Sequence, residues 1–167
     1  MEVEKAMTED QAKNDVWTRM IHAEVRSGYF GDLAARYTRH RQVISGLSLL
    51  LGSAAFGSFW ADSPQVAPWF GLIIAVSHAY AVAVGLDKRA TTAARLYVEW
   101  SRLGAEYNWL WHHWWEPEAE RAYDELIARA RSLSETATTE TPTDDRLLSE
   151  WIDRVYALYA PASASPA

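Results

Sequence analysis

The chain has 167 residues, a formal net charge of −6 and a mean hydropathy of −0.23, enough for one domain or for a membrane hairpin with helical appendages. It contains no cysteine, which excludes disulfides, thiolate metal sites and cysteine nucleophiles and fits a reducing compartment. Its basic residues form no long run and its first forty residues are polar, so neither nucleic acid binding nor a secretory signal is indicated.

Residues 1–35 are predicted to form an N-terminal cytoplasmic amphipathic helix. Thr8 and Gln11 have the spacing of a capping box. Apolar residues that follow define one helical face: Val16, Trp17, Met20 and Ile21. Gly28 and Gly31, which bracket Tyr29 and Phe30, indicate a break in this helix.

Two apolar runs predict a transmembrane hairpin with spans at about 43–61 and 66–86. Neither run contains Asp, Glu, Lys or Arg, and each is close to the twenty residues that a helix needs to cross a bilayer core. The connection DSPQ has no basic residue, whereas basic residues flank the outer ends of both runs. By the positive-inside rule, both termini are cytoplasmic. The basic residues at the inner membrane rim are Arg39, Arg41, Lys88 and Arg89.

These rim residues are candidates for contact with an anion, or they serve only topology and lipid headgroup contact. A buried hairpin inside a soluble core is the alternative for the two runs, but the remaining one-faced helices offer too little cover. Small residues recur every four positions along both spans, which suits close helix packing and homo-oligomerisation. His78, near the middle of the second span, either marks an ion path or bonds to Ser45, Ser48 or Ser53 of the first span.

After the second span the helix is predicted to continue as an aromatic cytoplasmic helix, within a domain of residues 36–133. A seam with heptad spacing runs along it: Leu96, Trp100, Leu103, Tyr107, Leu110 and Trp114. The seam packs either on the helix before the first span or on a neighbouring subunit. His112, His113, Glu116 and Glu120 have spacings compatible with metal ligands, but that pattern is common by chance, and we predict no metal site.

A helix restarts at Pro117, and three shorter segments complete the chain. Residues 134–143, rich in Ser, Thr and acids, predict a flexible linker. Residues 144–160 predict a C-terminal amphipathic helix with Thr143 as its cap and an apolar face of Leu148, Ile152, Val155 and Tyr159. Residues 161–167 are expected to be a disordered tail. The predicted fold class is therefore an all-α membrane protein, with a two-helix transmembrane hairpin and long cytoplasmic helices.

The common catalytic motifs are absent from the sequence. It has no GxxxxGK, no GxGxxG after a strand, no HExxH and no GxSxG. The aromatic region is flanked by acids rather than by a basic groove, which argues against nucleic acid binding. We expect no enzyme activity, no catalytic residues and no cofactor.

Three stretches resemble the SLATT superfamily of two-transmembrane effector domains: YTRHR before the first span, WADSPQVAPW around the connection, and DKRATTAARLYVEWSRLGAEYNWLW after the second span. The resemblance covers about residues 29–133 and is architectural. It implies an effector of bacterial anti-phage defence that oligomerises in the inner membrane and forms a pore or disrupts the barrier. It also implies a nucleotide-synthesising or sensor partner encoded nearby. A constitutive scaffold that tethers a cytoplasmic partner, or a small channel subunit unrelated to defence, is the alternative.

Overall fold

The computed structural model describes residues 9–52 and 67–159, and these residues form helices without any strand. The fold class is all-α, as predicted. The helices are α1 (Glu9–Gly52), α2 (Ala67–Val84), α3 (Leu86–His112), α4 (Ala119–Glu140) and α5 (Asp145–Tyr159). The predicted tail 161–167, the DSPQ connection and the second half of the first predicted span lie outside the described residues.

The chain divides into two units. One, here called the terminal unit, comprises Met1–Gly31 and Ala93–Ala167, and the other, the middle unit, comprises Asp32–Thr92. The terminal unit contains the first half of α1, most of α3, and α4 and α5. The middle unit contains the second half of α1, all of α2 and the first turns of α3. Each unit has its own set of packing contacts.

The core of the terminal unit is formed by the seam of α3. Leu96, Leu103, Tyr107 and Leu110 are almost completely buried, Trp100 is buried and Trp114 is half-buried. On α1, Val16 and Ala23 are fully buried, and Ala23 lies opposite Gly104 of α3 at ordinary van der Waals distance. Residues that recur with heptad spacing lie on one face of a helix, and for this reason one continuous stripe of α3 is buried.

Polar contacts join α4 to both of its neighbours in the terminal unit. Arg129 donates from Nη1 to Glu106 Oε2 at 2.6 Å and from Nη2 to Glu106 Oε1 at 3.2 Å, a two-pronged pairing. Arg19 on α1 donates from Nε to the Tyr123 hydroxyl at 2.8 Å. The Tyr123 hydroxyl in turn donates to the Asp15 carboxylate. These bonds set the register of α4 against α1 and α3.

The break predicted at Gly28 and Gly31 is wrong, because α1 is continuous from Glu9 to Gly52. Gly28 instead permits close helix approach. A Cβ at Gly28 would lie 2.3 Å from ring atoms of Trp151 on α5. A second contact holds α5 in the terminal unit, where Tyr159 donates from its hydroxyl to Glu24 at 2.6 Å.

The linker predicted at 134–143 is also wrong for most of its length, since α4 continues to Glu140. Its hydroxyl groups donate back to carbonyls one turn earlier, from Ser134 to Ala130 at 2.9 Å and from Thr138 to Ser134 at 3.0 Å. Such bonds let Ser and Thr remain in a helix although their composition is typical of loops. Ala137 is buried, so packing also holds this segment.

The cap of α5 differs by one residue from the prediction. The Leu147 backbone N–H donates to Asp144 Oδ1 at 3.0 Å, so Asp144 rather than Thr143 caps the helix. The buried residues of α5 are Leu147 and Val155, whereas Ile152 and Tyr159, which belong to the predicted apolar face, are exposed. Of the predicted face, Val155 is buried and Leu148 packs against Ile21 and Val25, so the docking face shares these two residues with the prediction and adds Leu147 and Trp151.

Candidate functional site

The second half of α1 and helix α2 form an antiparallel pair within the middle unit. Arg41 Nη1 donates to Asp87 Oδ1 at 3.2 Å, and one to two turns further along α1, Ser48 Oγ lies 3.3 Å from His78 Nδ1. Residue numbers rise along α1 while their partners' numbers fall, which defines the antiparallel direction. Of the residues in these two contacts, sequence reasoning missed Asp87, the first acid after the second apolar run.

The contacts of His78 indicate which of its ring nitrogens carries a proton. The Ser48 hydroxyl donates to the Ile44 carbonyl at 2.8 Å, so its lone pairs are left to accept a bond. His78 Nδ1 also lies 3.2 Å from the carbonyl oxygen of Ile74, which accepts bonds only. Both neighbours are satisfied when Nδ1 carries the proton. The His78 side chain itself is exposed.

An open cavity of about 470 Å³ lies beside this histidine in the middle unit. Its polar lining includes Ser45, His78, Arg41 and Lys88. The predicted contact between His78 and the serines of α1 is thus present with Ser48, and Ser45 lines the same cavity. Ser53 lies outside the described residues.

The four basic residues predicted at the membrane rim fall in two short segments of the middle unit. Arg39 and Arg41 lie on α1, while Lys88 and Arg89 lie in the first turn of α3. Only the Arg41–Asp87 pairing brings the two segments into direct contact among the described rim residues. Both side chains are mostly exposed, so this ion pair contributes at most about 1 kcal/mol.

Apolar side chains cover the outside of the middle unit. Leu49 is 76% exposed and Val82 is 80% exposed, and most of the neighbouring large side chains are also exposed. The exposed set is Val43, Leu47, Leu49, Leu50, Trp69, Leu72, Ile73, Val76, Tyr80 and Val82. Soluble monomers rarely expose a continuous apolar surface of this size. This surface is therefore a candidate interaction site.

A single residue, Gly85, separates α2, which carries His78, from α3. Gly85 has a φ of 65°, and α2 ends before it while α3 begins after it. The expectation of one continuous helix from the second span into the aromatic region is therefore wrong. The reason is local: glycine adopts this left-handed conformation without the penalty that a side chain would impose.

The tryptophan-rich segment at the end of α3 and in the turn that follows it, which contains Trp114 and Trp115, is only partly covered in the terminal unit. Trp111 packs on Trp17 of α1 with ring centroids 5.5 Å apart, and Trp114 packs on Tyr123 of α4 at 5.7 Å. Trp115 remains 72% exposed. His113 stacks on Trp109 and its Nδ1 lies 2.8 Å from the Trp109 carbonyl.

Within residues 9–52 and 67–159, no three His, Asp or Glu side chains are grouped as metal ligands would be.

Comparison with known protein families, curated proteins and solved structures found no match to this chain. Taken singly, none of the helices in the described ranges combines the length and the apolar composition of a membrane span. The segments Gly71–Val84 and Leu86–His112 meet that test only together, by length and composition, as a pair bent at Gly85.

Proposed function

We propose that the chain is a two-span membrane protein and that the middle unit is its membrane-inserted part. The observation that carries this proposal is the apolar surface of α1 and α2 described above. Each large apolar side chain moved from water to an apolar medium is stabilised by about 1.5–3 kcal/mol. Ten such side chains exposed on one unit would strongly favour lipid over water.

The charges at the ends of these helices support one orientation. Because α1 and α2 are antiparallel, Arg39 and Arg41 lie at the same end of the pair as Lys88 and Arg89. Basic residues favour the cytoplasmic side of a membrane. The proposed topology is multi-pass in the inner membrane, with both termini in the cytoplasm.

The proposed activity is that of an effector of bacterial anti-phage defence, which oligomerises and forms a pore or disrupts the membrane. The likeness to SLATT effectors supports this class, and the small residues on α2 support packing between copies. The Ser48–His78 contact supports a polar point inside an otherwise apolar helix pair. No catalytic step is required of the chain itself, and a sensor or nucleotide-synthesising partner would supply the signal.

The rival scaffold would have to bind its partner through the seam of α3 or through α5. The seam side chains are already packed within the chain, which weakens that route. Helix α5 exposes Ile152, Tyr156 and Leu158 on its outer side and so remains a route for a scaffold. Burial of the seam therefore favours the effector over a seam-mediated tether.

The test uses induced expression in a bacterium, with membrane potential followed by a dye, with and without the neighbouring genes. Leu49→Arg combined with Val82→Arg places two charges on the apolar surface, at a cost of up to about 2.5–3.5 kcal/mol each, the value for a charge at the centre of a span. Leu158→Arg on α5 is the matched control, since Leu158 is 71% exposed outside the proposed spans.

We expect the double variant to be recovered less completely in the membrane fraction than the control and to lose depolarisation. If the double variant is recovered in the membrane after alkaline washing as fully as the control, the proposed location of the spans is wrong. If depolarisation persists when both spans are replaced by plain leucine helices, the pore is wrong. Cross-linking that finds only monomers under activating conditions would contradict assembly.

A further inference from the structure

A cleft in the terminal unit combines positive charge with an aromatic floor. Its volume is about 400 Å³, within the range of small-molecule sites, and it lies between α1, α3 and α4. Arg19, His22 and Arg26 follow one face of α1 along this cleft, and Arg131 of α4 also lines it. The carboxylate in its lining is that of Glu135, so the lining is positively charged.

Arg26 is the most informative residue of the cleft. Its guanidinium carbon lies 5.1 Å from the centre of the Trp100 ring, and the side chain is half-buried. No hydrogen bond or ion pair joins it to any residue within 9–52 or 67–159, and burial alone lowers the pKa of Arg26. Half-buried charges are normally paired, because an unpaired one loses hydration without compensation.

A second observation comes from the floor of the same cleft. Both Trp100 Nε1 and the Tyr107 hydroxyl are buried and have no hydrogen-bond partner of ordinary geometry among the described residues. Each such atom costs about 1–3 kcal/mol when left unsatisfied. Both are hydrogen-bond donors, and an anion is an acceptor. The cleft thus collects unmet donors as well as unmet positive charge.

By contrast, the Arg19 guanidinium is already engaged, since its Nε donates to Asp15 at 2.9 Å and to Tyr123. It contributes positive potential rather than a free Nε–H donor. Arg26 and Arg131 of this cleft make no hydrogen bond or ion pair within residues 9–52 and 67–159, and the His22 imidazole lines the cleft beside them. Several cations around one cleft exceed what a single carboxylate needs, and they suit a multiply charged anion.

We infer that this cleft binds a small phosphate compound, with Arg26 as its central contact and Arg131 and His22 at its rim. Arg26 presents a planar guanidinium over the Trp100 ring, and a guanidinium can bind two phosphate oxygens at once. The ligand neutralises the charge of Arg26. This inference concerns the terminal unit and holds whether or not the middle unit enters a membrane.

The experiment is calorimetric titration of the full chain in mild detergent, which keeps the exposed apolar surface soluble whether or not it is a membrane surface, and then in phosphatidylcholine nanodiscs. The probes are tripolyphosphate, ATP and, as a carboxylate comparison, citrate at matched ionic strength. The variants are Arg26→Met, Arg26→Lys and Arg131→Gln. Arg121→Gln is the control, because Arg121 lies on the same helix as Arg131, outside the cleft, in an exposed pair with Glu125.

We expect saturable one-to-one binding of tripolyphosphate or ATP, weaker binding of citrate, and an affinity loss of about tenfold or more for Arg26→Met, the loss expected of a charge-assisted hydrogen bond. Arg26→Lys should retain part of the affinity, since it keeps the charge but not the planar fork. Arg131→Gln should lose severalfold, and Arg121→Gln should match the parent chain. Without ligand, the melting temperature of Arg26→Met should equal or exceed that of the parent chain.

Two results would overturn the inference: no saturable binding of either phosphate probe, or an equal loss in Arg121→Gln, which would mean nonspecific charge attraction. If Arg26→Met fails to fold, Arg131→Gln carries the test alone. Nanodiscs that contain phosphatidylglycerol distinguish the source of the phosphate. If the parent chain binds the probe more weakly in phosphatidylglycerol nanodiscs than in phosphatidylcholine nanodiscs, and Arg131→Gln shows no such difference, a lipid headgroup is the natural occupant. If the parent chain binds the probe equally in both kinds of nanodisc, the natural occupant is a soluble compound.

Discussion

Replacing Gly28 with alanine should weaken the docking of α5, although alanine is the better helix former. A Cβ at this position would lie 2.3 Å from two ring atoms of Trp151 and 2.7 Å from a third. That ring packs against Ile21, Val25 and Val155, and the Arg154 guanidinium covers it at 4.4 Å. The ring therefore has to leave its site rather than rotate within it.

Two opposing terms decide the size of the effect. Overpacking a well-filled site costs about 1–3 kcal/mol. Alanine in place of glycine in a helix returns about 1 kcal/mol. The net expectation for Gly28→Ala is a loss of about 1 kcal/mol, concentrated in α5. Hydrogen exchange of the α5 amides in the solubilised full chain measures this local loss directly.

Removing the ring should reverse the sign. In a Trp151→Ala background, Gly28→Ala meets no obstacle and should stabilise α1 by about 1 kcal/mol. Gly104→Ala is the matched control, since its Cβ would lie 3.6 Å from that of Ala23, an ordinary contact, and it should stabilise the parent chain. If Gly28→Ala protects α5 as well as the parent does, or has the same sign in both backgrounds, close approach is not the reason for this glycine.

Two further predictions concern α4 and α5. Glu106→Gln should lower the free energy of unfolding by about 1–2 kcal/mol, because Arg129 is half-buried and bonds Glu106 through two nitrogens. The control is Glu125→Gln in the exposed pair with Arg121, which should change that free energy by less than about 0.5 kcal/mol. Chemical denaturation measures both. Tyr159 donates to Glu24, and this bond raises the pKa of Tyr159 above its ordinary value of 10.0. The bond therefore stabilises α5 below pH 10, and this stabilisation is lost above pH 10. Hydrogen exchange of α5, extrapolated across that range, should show the loss in the parent chain and not in Tyr159→Phe, and an equal loss in both would contradict the assignment.

The parts of the fold that were predictable from sequence are those whose signal is local. The heptad spacing of Leu96, Leu103 and Leu110 alone predicts a single buried stripe, and the structure buries all three. A bond from His78 to a serine of α1 is one of the two predicted roles of this residue, because a lone imidazole among apolar residues needs a partner close by, and Ser48 Oγ lies 3.3 Å from its Nδ1.

The parts that were missed depend on contacts between distant segments. A glycine that ends a helix and a glycine that admits a tryptophan ring look the same in sequence, so Gly28 was interpreted as a break. The Ser and Thr residues of 134–140 resemble a linker until Ala137 is known to be buried. The cleft around Arg26 involves α1, α3 and α4, and no spacing within one helix predicts that Arg26 lacks a carboxylate.

Gly85 determines how the middle unit is connected internally, and its role can be tested by substitution. Nothing lies within 4 Å of a Cβ built at Gly85, so alanine there would meet no clash, and its φ of 65° is the sole obstacle. Alanine in this left-handed region costs about 1–2 kcal/mol. The backbone bonds on either side, from Gly85 N to Val82 O and from Arg89 N to Gly85 O, are both 3.0 Å and already helical in character. Gly85→Ala should therefore shift the chain from the bent connection towards one straight helix.

Because the chain has no cysteine, spin labels can be placed by two substitutions, Ala75→Cys on α2 and Thr91→Cys on α3, both at exposed positions. A straight helix would separate these backbone positions by about 24 Å, from a rise of 1.5 Å per residue, and a bend shortens that distance. We expect Gly85→Ala to lengthen the measured separation, while Gly71→Ala, which also has open space but no positive φ, leaves it unchanged. An identical distance in all three chains would mean that the bend is held by packing around the connection and not by the backbone freedom of Gly85, and the hairpin and the aromatic helix could then not be uncoupled at this residue.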